Sequence, residues 1–228
     1  MEGGKKNAID QRDRKRYYLE NTSFRRVITQ ILRLTFRLIS KIEVIGIDNF
    51  PVSGPVVLAA NHLSGFDMFP MQFTIPRPIF FMGKEELFRN VLMDALLRRL
   101  GSFPIKRGGR DEWAMGHAIK ILEHEKILGI FPEGTRSRGR GLQPGKTGAA
   151  RLAIAAHCPV VLMAIDGTQR LLNDFPRQTQ VTITIKEPIP AKEGVSPLVF
   201  TDQLMFTLAD MLPENLRGVY TIRPKGFR

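Results

Sequence analysis

The sequence predicts an α/β fold: a single-domain αβ layer fold with a mixed central sheet flanked by helices, preceded by a basic amphipathic N-terminal helix. Three observations point there. Short apolar runs such as 56–60 and 160–165 alternate with stretches of helical periodicity, the pattern of strands covered by helices. The 228 residues, 43% hydrophobic and 25% charged, suit one compact domain with a sizeable core. Near the start, Val27, Ile31, Leu34, Leu38 and Ile42 keep the spacing of one helix face, with Arg26, Arg33, Arg37 and Lys41 on another stripe.

Taken in order, residues 1–23 read as a polar, mobile arm that turns helical towards its end. Lys5, Lys6, Arg12, Arg14, Lys15 and Arg16 crowd it. The helix proper spans 22–41, capped by Thr22 or Ser23. Residues 41–47 alternate as a strand and give way to turn residues over 48–55. A buried strand follows at 56–60, a helix at 67–73 and a strand at 78–82. Helical periodicity over 84–100 ends at Gly101, and 102–105 forms a short strand. A helix over 112–124 leads to a strand at 126–131, then a Gly-rich basic loop over 132–145. Residues 147–156 are helical, 160–165 apolar, 180–186 an alternating strand, and 200–212 a closing helix. No repeat or Ser/Gly-rich linker interrupts the series. The division is therefore 1–41, basic arm and helix, and 42–228, one α/β domain.

The charge is uneven. Thirty-four Lys+Arg against 22 Asp+Glu give +12, and residues 1–41 hold eleven of the basic and four of the acidic residues. An anionic partner follows: nucleic acid, an anionic membrane surface or a phosphorylated substrate. A basic amphipathic helix either lies in a membrane surface or packs on its own domain. No run approaches the roughly 20 apolar residues of a spanning helix, because Arg33 and Arg37 interrupt the best stretch. The first 26 residues have no apolar core of a secretory signal. The single cysteine, Cys158, excludes an internal disulfide and a Cys-based zinc site and fits a reducing, cytosolic setting. The absence of an RNP1-like strand, a Cys/His finger or a recognition helix argues against nucleic acid.

Three segments hold the chemistry. Asn61-His62-Leu63-Ser64-Gly65-Phe66-Asp67 follows the strand at 56–60, where ligand sites form in open α/β sheets. With Gly65 allowing a tight turn, Asp67 can accept from one imidazole nitrogen and leave the other as a base. Residue by residue, Asp67 could equally cap a helix, Asn61 make a turn and His62 be a bystander. Phe131-Pro132-Glu133-Gly134-Thr135-Arg136-Ser137-Arg138 also follows an apolar strand. Its hydroxyls, guanidinium groups and glycine suit a phosphate monoester, while Glu133 either orients an arginine or accepts from substrate hydroxyls. Gly101-Ser102-Phe103-Pro104-Ile105-Lys106-Arg107 delivers two basic residues at a strand end, only one of which alternation points into a given cleft. Other patterns fail. Gly145-Lys146-Thr147 lacks the upstream glycine of a phosphate-binding loop, since position 140 is Arg140. His117 and His124 share a helix face without a third metal ligand and read as surface histidines. Met163 and Phe131 read as core.

Together these segments resemble the glycerolipid acyltransferase family. Its Asn-His-x4-Asp signature is matched by Asn61, His62 and Asp67. Its Gly-x-x-Phe-Ile-x-Arg motif is matched by Gly101, Ile105 and Arg107, with Pro104 in place of the aromatic residue. Its Phe-Pro-Glu-Gly-Thr-Arg-Ser motif is matched throughout by 131–137. Its apolar-Pro-apolar-apolar run is matched by Cys158-Pro159-Val160-Val161, with Leu162 where many members have a second proline. The resemblance covers about residues 40–190 and makes 42–228 an acyltransferase domain. It implies acyl transfer from a thioester to the sn-2 hydroxyl of 1-acyl-glycerol 3-phosphate, giving phosphatidic acid in phospholipid biosynthesis. Glycerol 3-phosphate or another lysophospholipid are alternative acceptors, and a non-catalytic membrane- or nucleic-acid-binding protein is the alternative of another class. It implies His62 as general base and Asp67 as the group that holds its ring. Lys84, Arg107, Glu133, Gly134, Thr135 and Arg136 would then bind the acceptor. No metal or resident cofactor is implied. Acyl-CoA or acyl carrier protein is the co-substrate, and an anionic membrane surface is the partner. The location that follows is cytoplasmic, peripheral to the cytoplasmic face of the membrane, with 22–41 as the docking helix.

Overall fold

The computed structural model describes residues 10–224. Seven strands form one sheet: β1 (Ser40–Ile45), β2 (Val56–Ala60), β3 (Ile79–Lys84), β4 (Ser102–Ile105), β5 (Ile127–Ile130), β6 (Val160–Asp166) and β7 (Thr179–Ile185). Their order is β1-β7-β6-β2-β5-β3-β4. Every neighbouring pair is parallel except β6 and β7, so the sheet is mixed. The helices are α1 (Ser23–Ile39), α2 (Met68–Thr74), α3 (Val91–Arg99), α4 (Glu112–Glu123), α5 (Gly148–Ala155) and α6 (Pro197–Asp210).

β2 is buried along its whole length because helices cover both sides of it. Val57 and Ala59 face the core shared with α4, α5 and α6, while Val56, Leu58 and Ala60 face the core shared with α1 and α2. At the end of β2, Asn61 is buried and stands in for a strand residue. Its Nδ2 donates to the Ile165 carbonyl at 2.8 Å and its Oδ1 accepts from the Ile165 amide at 2.7 Å. This pins the carboxyl end of β2 to β6, and the loop that starts at His62 leaves from a fixed point.

One predicted element divides. In place of a helix over 84–100, β3 continues to Lys84, a 3-10 turn spans Glu85–Phe88, and α3 begins at Val91. The Phe88 ring folds back over Gly83, where a Cβ would stand only 2.8 Å from it. Asn90 then starts α3 by accepting from the Leu92 and Met93 amides at 3.0 and 3.1 Å.

α1 begins where the sequence predicts, with Thr22 Oγ1 accepting from the Arg25 amide. Its packed side is not its most apolar one. Arg25 and Phe36 are buried, with Phe36 against Phe69 and Phe73 of α2. The stripe of Val27, Ile31, Leu34 and Leu38 is 57, 51, 60 and 73% exposed. Of the arm before α1, residues 1–9, with Lys5 and Lys6, lie outside the described residues. The rest is fastened rather than mobile. Arg12 is buried and grips Asp111 with two bonds of 2.6 and 2.9 Å, and Lys15 pairs with Asp94 at 2.8 Å. The division at residue 41 is therefore not a physical gap.

His117 is not a surface histidine. It stacks on Trp113 at 5.1 Å and meets Tyr17 and Phe103 edge-on or tilted at 4.9 and 4.7 Å. Burial pulls its pKa down from 6.5 to about 4. The fold therefore holds it neutral, while the unfolded chain protonates it first as pH falls. Its contribution is whole above about 6.5 and is lost on the way down to about 4. Urea midpoints measured between pH 7 and pH 4 should fall more steeply for the native chain than for His117→Gln. Parallel curves would remove this residue from the acid response.

Candidate active site

The loop between β2 and α2 closes around one carboxylate. Asp67 is fully buried. Its Oδ2 lies 2.7 Å from His62 Nδ1 and accepts from the Leu63 and Ser64 amides at 2.8 and 2.9 Å. Its Oδ1 accepts from Thr168 Oγ1 and, at 3.3 Å, from Ser64 Oγ. The bend thus comes from the carboxylate gathering its own loop's amides. Gly65 does not adopt a left-handed conformation, and its open side faces the Arg136 guanidinium. With Nδ1 against a carboxylate, the ring is held with its proton on that nitrogen. Nε2 has no hydrogen-bond partner among the described residues.

The loop after β5 holds the other side of His62. Glu133, 2% exposed, accepts from the His62 amide at 2.7 Å and the Gln143 amide at 2.9 Å. Each oxygen thereby accepts from one backbone amide, and Glu133 joins the two loops. Burial raises its pKa, against the pull of the two amides. The Ser137 amide returns a bond to the His62 carbonyl at 2.7 Å. Phe131, read from sequence as core, is half-buried and lies flat against the His62 ring, 4.1 Å between centroids and 12° between planes.

A cavity of about 210 Å³ opens beside His62 at the carboxyl ends of β3, β4 and β5. Arg107, Lys106, Gly134 and Lys146 line it, with Met82, Ile105, Met115 and Ile130 as its apolar wall. Lys106 and Arg107 both reach it, against the alternation argument. β4 ends at Ile105, and the Gly108–Gly109 turn, with Gly108 at φ +92°, breaks the strand geometry. Gly134 is required for its φ of +66° and for space, since a Cβ there would stand 2.9 Å from Lys146 Nζ.

Other predicted residues lie at the margin. Thr135 and Arg136 are exposed on the rim and outside the cavity wall. Lys84 ends β3, half-exposed, and pairs with Glu86 at 3.1 Å. Two residues were not predicted for the site. Lys146 was set aside with a failed phosphate-loop pattern, and its signal was its place just before a helix. Thr168 follows β6, far from either motif, and no spacing marks it. Cys158 is buried, and burial pushes its thiol up to about 11, which leaves it unreactive.

The arrangement is an imidazole with one nitrogen on a carboxylate and the other without a partner among the described residues, at the edge of a small cavity with three cations. It suits deprotonation of a hydroxyl on a molecule that also bears negative charge. Comparison with known proteins agrees with this chemistry. Residues 41–166 match the family model described as Acyltransferase. The 1-acyl-sn-glycerol-3-phosphate acyltransferase of Escherichia coli K12 is 35% identical over 124 residues, 53% of this chain and 50% of that protein. The chain thus aligns with about half the length of that relative. The protein of the same name from Bacillus subtilis is 29% identical over 176 residues, 73% of this chain and 87% of its own length. The crystal structure of the 1-acyl-sn-glycerophosphate acyltransferase of Thermotoga maritima superposes with a TM-score of 0.67 at 26% identity, covering 81% of this chain and 76% of that one. The family match extends over more than half of the chain and contains His62, Asp67, Arg107 and Glu133, and the chain belongs to the acyltransferase family.

Proposed function

We propose that the chain transfers an acyl group from a thioester, on coenzyme A or acyl carrier protein, to the sn-2 hydroxyl of 1-acyl-glycerol 3-phosphate, forming phosphatidic acid. The observation that carries this is the His62–Asp67 pair at 2.7 Å beside a cavity ringed by Arg107, Lys106 and Lys146. The names of the relatives support the same acceptor.

The steps follow from the geometry. Nε2 of His62 takes the proton of the acceptor hydroxyl as that oxygen attacks the thioester carbonyl. The carbon–sulfur bond then breaks, and the departing thiolate takes the proton back from Nε2. Asp67 stabilises the imidazolium formed in between. The donor is already activated, so no protein nucleophile intervenes. The cavity's cations hold the acceptor's phosphate, and placement alone lowers the barrier by several kcal/mol. Such an acceptor resides in a bilayer. The exposed stripe of Val27, Ile31, Leu34 and Leu38, flanked by Arg26, Arg33 and Arg37, suits docking of α1 in the headgroup layer of the membrane's cytoplasmic face.

Two substitutions separate the roles. In an assay of thiol release from palmitoyl-CoA with the lysophosphatidate acceptor, His62→Ala should lose on the order of 10²- to 10⁴-fold in kcat with little change in KM. Full activity would sink the base. Arg107→Ala should instead raise the acceptor's KM by roughly 10- to 100-fold, the loss of one charge-assisted hydrogen bond. An unchanged KM would move the phosphate elsewhere in the cleft.

A further inference from the structure

A second cavity, of about 320 Å³, lies between α1 and the turn from α2 into β3. Arg25, Arg26, Arg33, Arg77, Gln72 and Thr74 line it, and no acidic side chain does. It sits at the amino-terminal end of β3, whereas His62 follows the carboxyl end of β2, so it is no part of the catalytic cleft. Arg25 is buried without a carboxylate, which is unusual because buried cations are ordinarily paired, and the exposed Arg26 and half-buried Arg33 and Arg77 add to the same sign of charge.

None of the four forms an ion pair among the described residues. Arg25 is 2% exposed. It donates to the Ile79 carbonyl at 2.6 Å and to Gln72 at 3.2 Å, and its Nη1 has no partner. Burial alone lowers its pKa to about 10. Arg33 donates to the Phe73 carbonyl, and Arg77 to the carbonyls of Pro51, Gly54 and Glu125. The Glu125 charge acts on Arg77 from outside the cavity wall. Thr74 Oγ1 also lacks a partner, and like Arg25 Nη1, which lies against Gly101, it is closed to solvent. The cavity therefore offers the partly exposed guanidinium groups of Arg26, Arg33 and Arg77 to an anion, and its lining supplies no counter-charge.

The neighbouring surface says where that anion comes from. Arg26, Gln30 and Arg33 each precede a residue of the exposed stripe, Val27, Ile31 and Leu34. This row of two arginines and a glutamine thus runs beside the apolar one, between it and the packed side of the helix. When the stripe lies in the acyl boundary, this row sits at the depth of lipid phosphates. We propose that the cavity is a headgroup site that receives the phosphate of an anionic phospholipid and fixes α1 to the bilayer. The proposal rests on the docking assigned to α1 and is independent of the acyl-transfer reaction.

The test is flotation of the full chain with phosphatidylcholine vesicles, with and without phosphatidylglycerol. Thr74→Glu adds one negative charge inside the cavity, Arg26→Gln removes one positive charge from its wall, and Arg37→Gln removes one from the same helix outside it. Arg37→Gln should weaken binding to the anionic vesicles about fivefold, the effect of one basic residue near a charged surface. Each cavity variant should weaken it at least about tenfold more than that, the loss of a charge-assisted hydrogen bond. Thermal melting checks the fold of each. Equal losses in all three variants would overturn the headgroup site and leave docking intact. Failure of the native chain to float with either vesicle would overturn docking and the site together, with thiol release a separate readout. Displacement of the chain from vesicles by millimolar inorganic phosphate would assign the cavity to free phosphate and overturn the lipid.

Discussion

The active site depends on one hydrogen bond from backbone to carboxylate: the amide of His62 to Glu133 at 2.7 Å. A general base is useful only if its free nitrogen stays where a proton will arrive, within a few tenths of an ångström. His62 is held on every side but one. Glu133 takes its amide, the Ser137 amide gives to its carbonyl, Phe131 covers one ring face and Asp67 holds Nδ1. All but the last come from the loop after β5. β2 and β5 are adjacent parallel strands, so the two loops leave the sheet side by side and need only this carboxylate to join them. The second oxygen of Glu133 binds Gln143, which closes the basic loop on itself.

Strands buried on both faces were the most legible part of the fold. A run such as Val56–Ala60 has no polar position to misplace, and its ends are set by turn residues. The failure at 84–100 has a local cause. Helical spacing of apolar residues there is real, but Phe88 satisfies it by folding back onto Gly83, and Asn90 begins the helix afresh. Spacing reports which residues are buried and does not by itself tell one continuous helix from a turn and a helix sharing a core.

The candidate site was legible in the pairing of His62 with Asp67 and less so in what holds the pair. His62 and Asp67 are five residues apart and form a closed local turn, so sequence distance approximates spatial distance. Glu133 was noticed because a carboxylate is out of place in an anion-binding loop. Its two amide partners were not foreseen, because backbone amides do not appear in a sequence. Thr168 reaches Asp67 from 101 residues away through the parallel order of β2 and β6, which only topology supplies. The amphipathicity of α1 was plain, yet which side packs was not. Arg25 can be buried because its head finds a carbonyl and an aromatic face, Phe80 at 4.6 Å, where an apolar residue would have been expected.

The segment before α1 also bears on the candidate site. Asp111 caps α4 through the Ala114 amide and also accepts from the Lys106 amide at 2.8 Å. Arg12 grips that same carboxylate from 99 residues away, and against the upward push of burial this pairing and the two amides lower the Asp111 pKa. The stretch 106–110 contains Lys106, Arg107 and two glycines, and its amide bond to Asp111 is what anchors its start. A basic, glycine-containing loop of that composition is free to move unless something fixes its entry. The segment that does so continues directly into α1. The chain that forms α1 and the chain that fastens Asp111, and through it the amide of Lys106, are therefore one continuous piece.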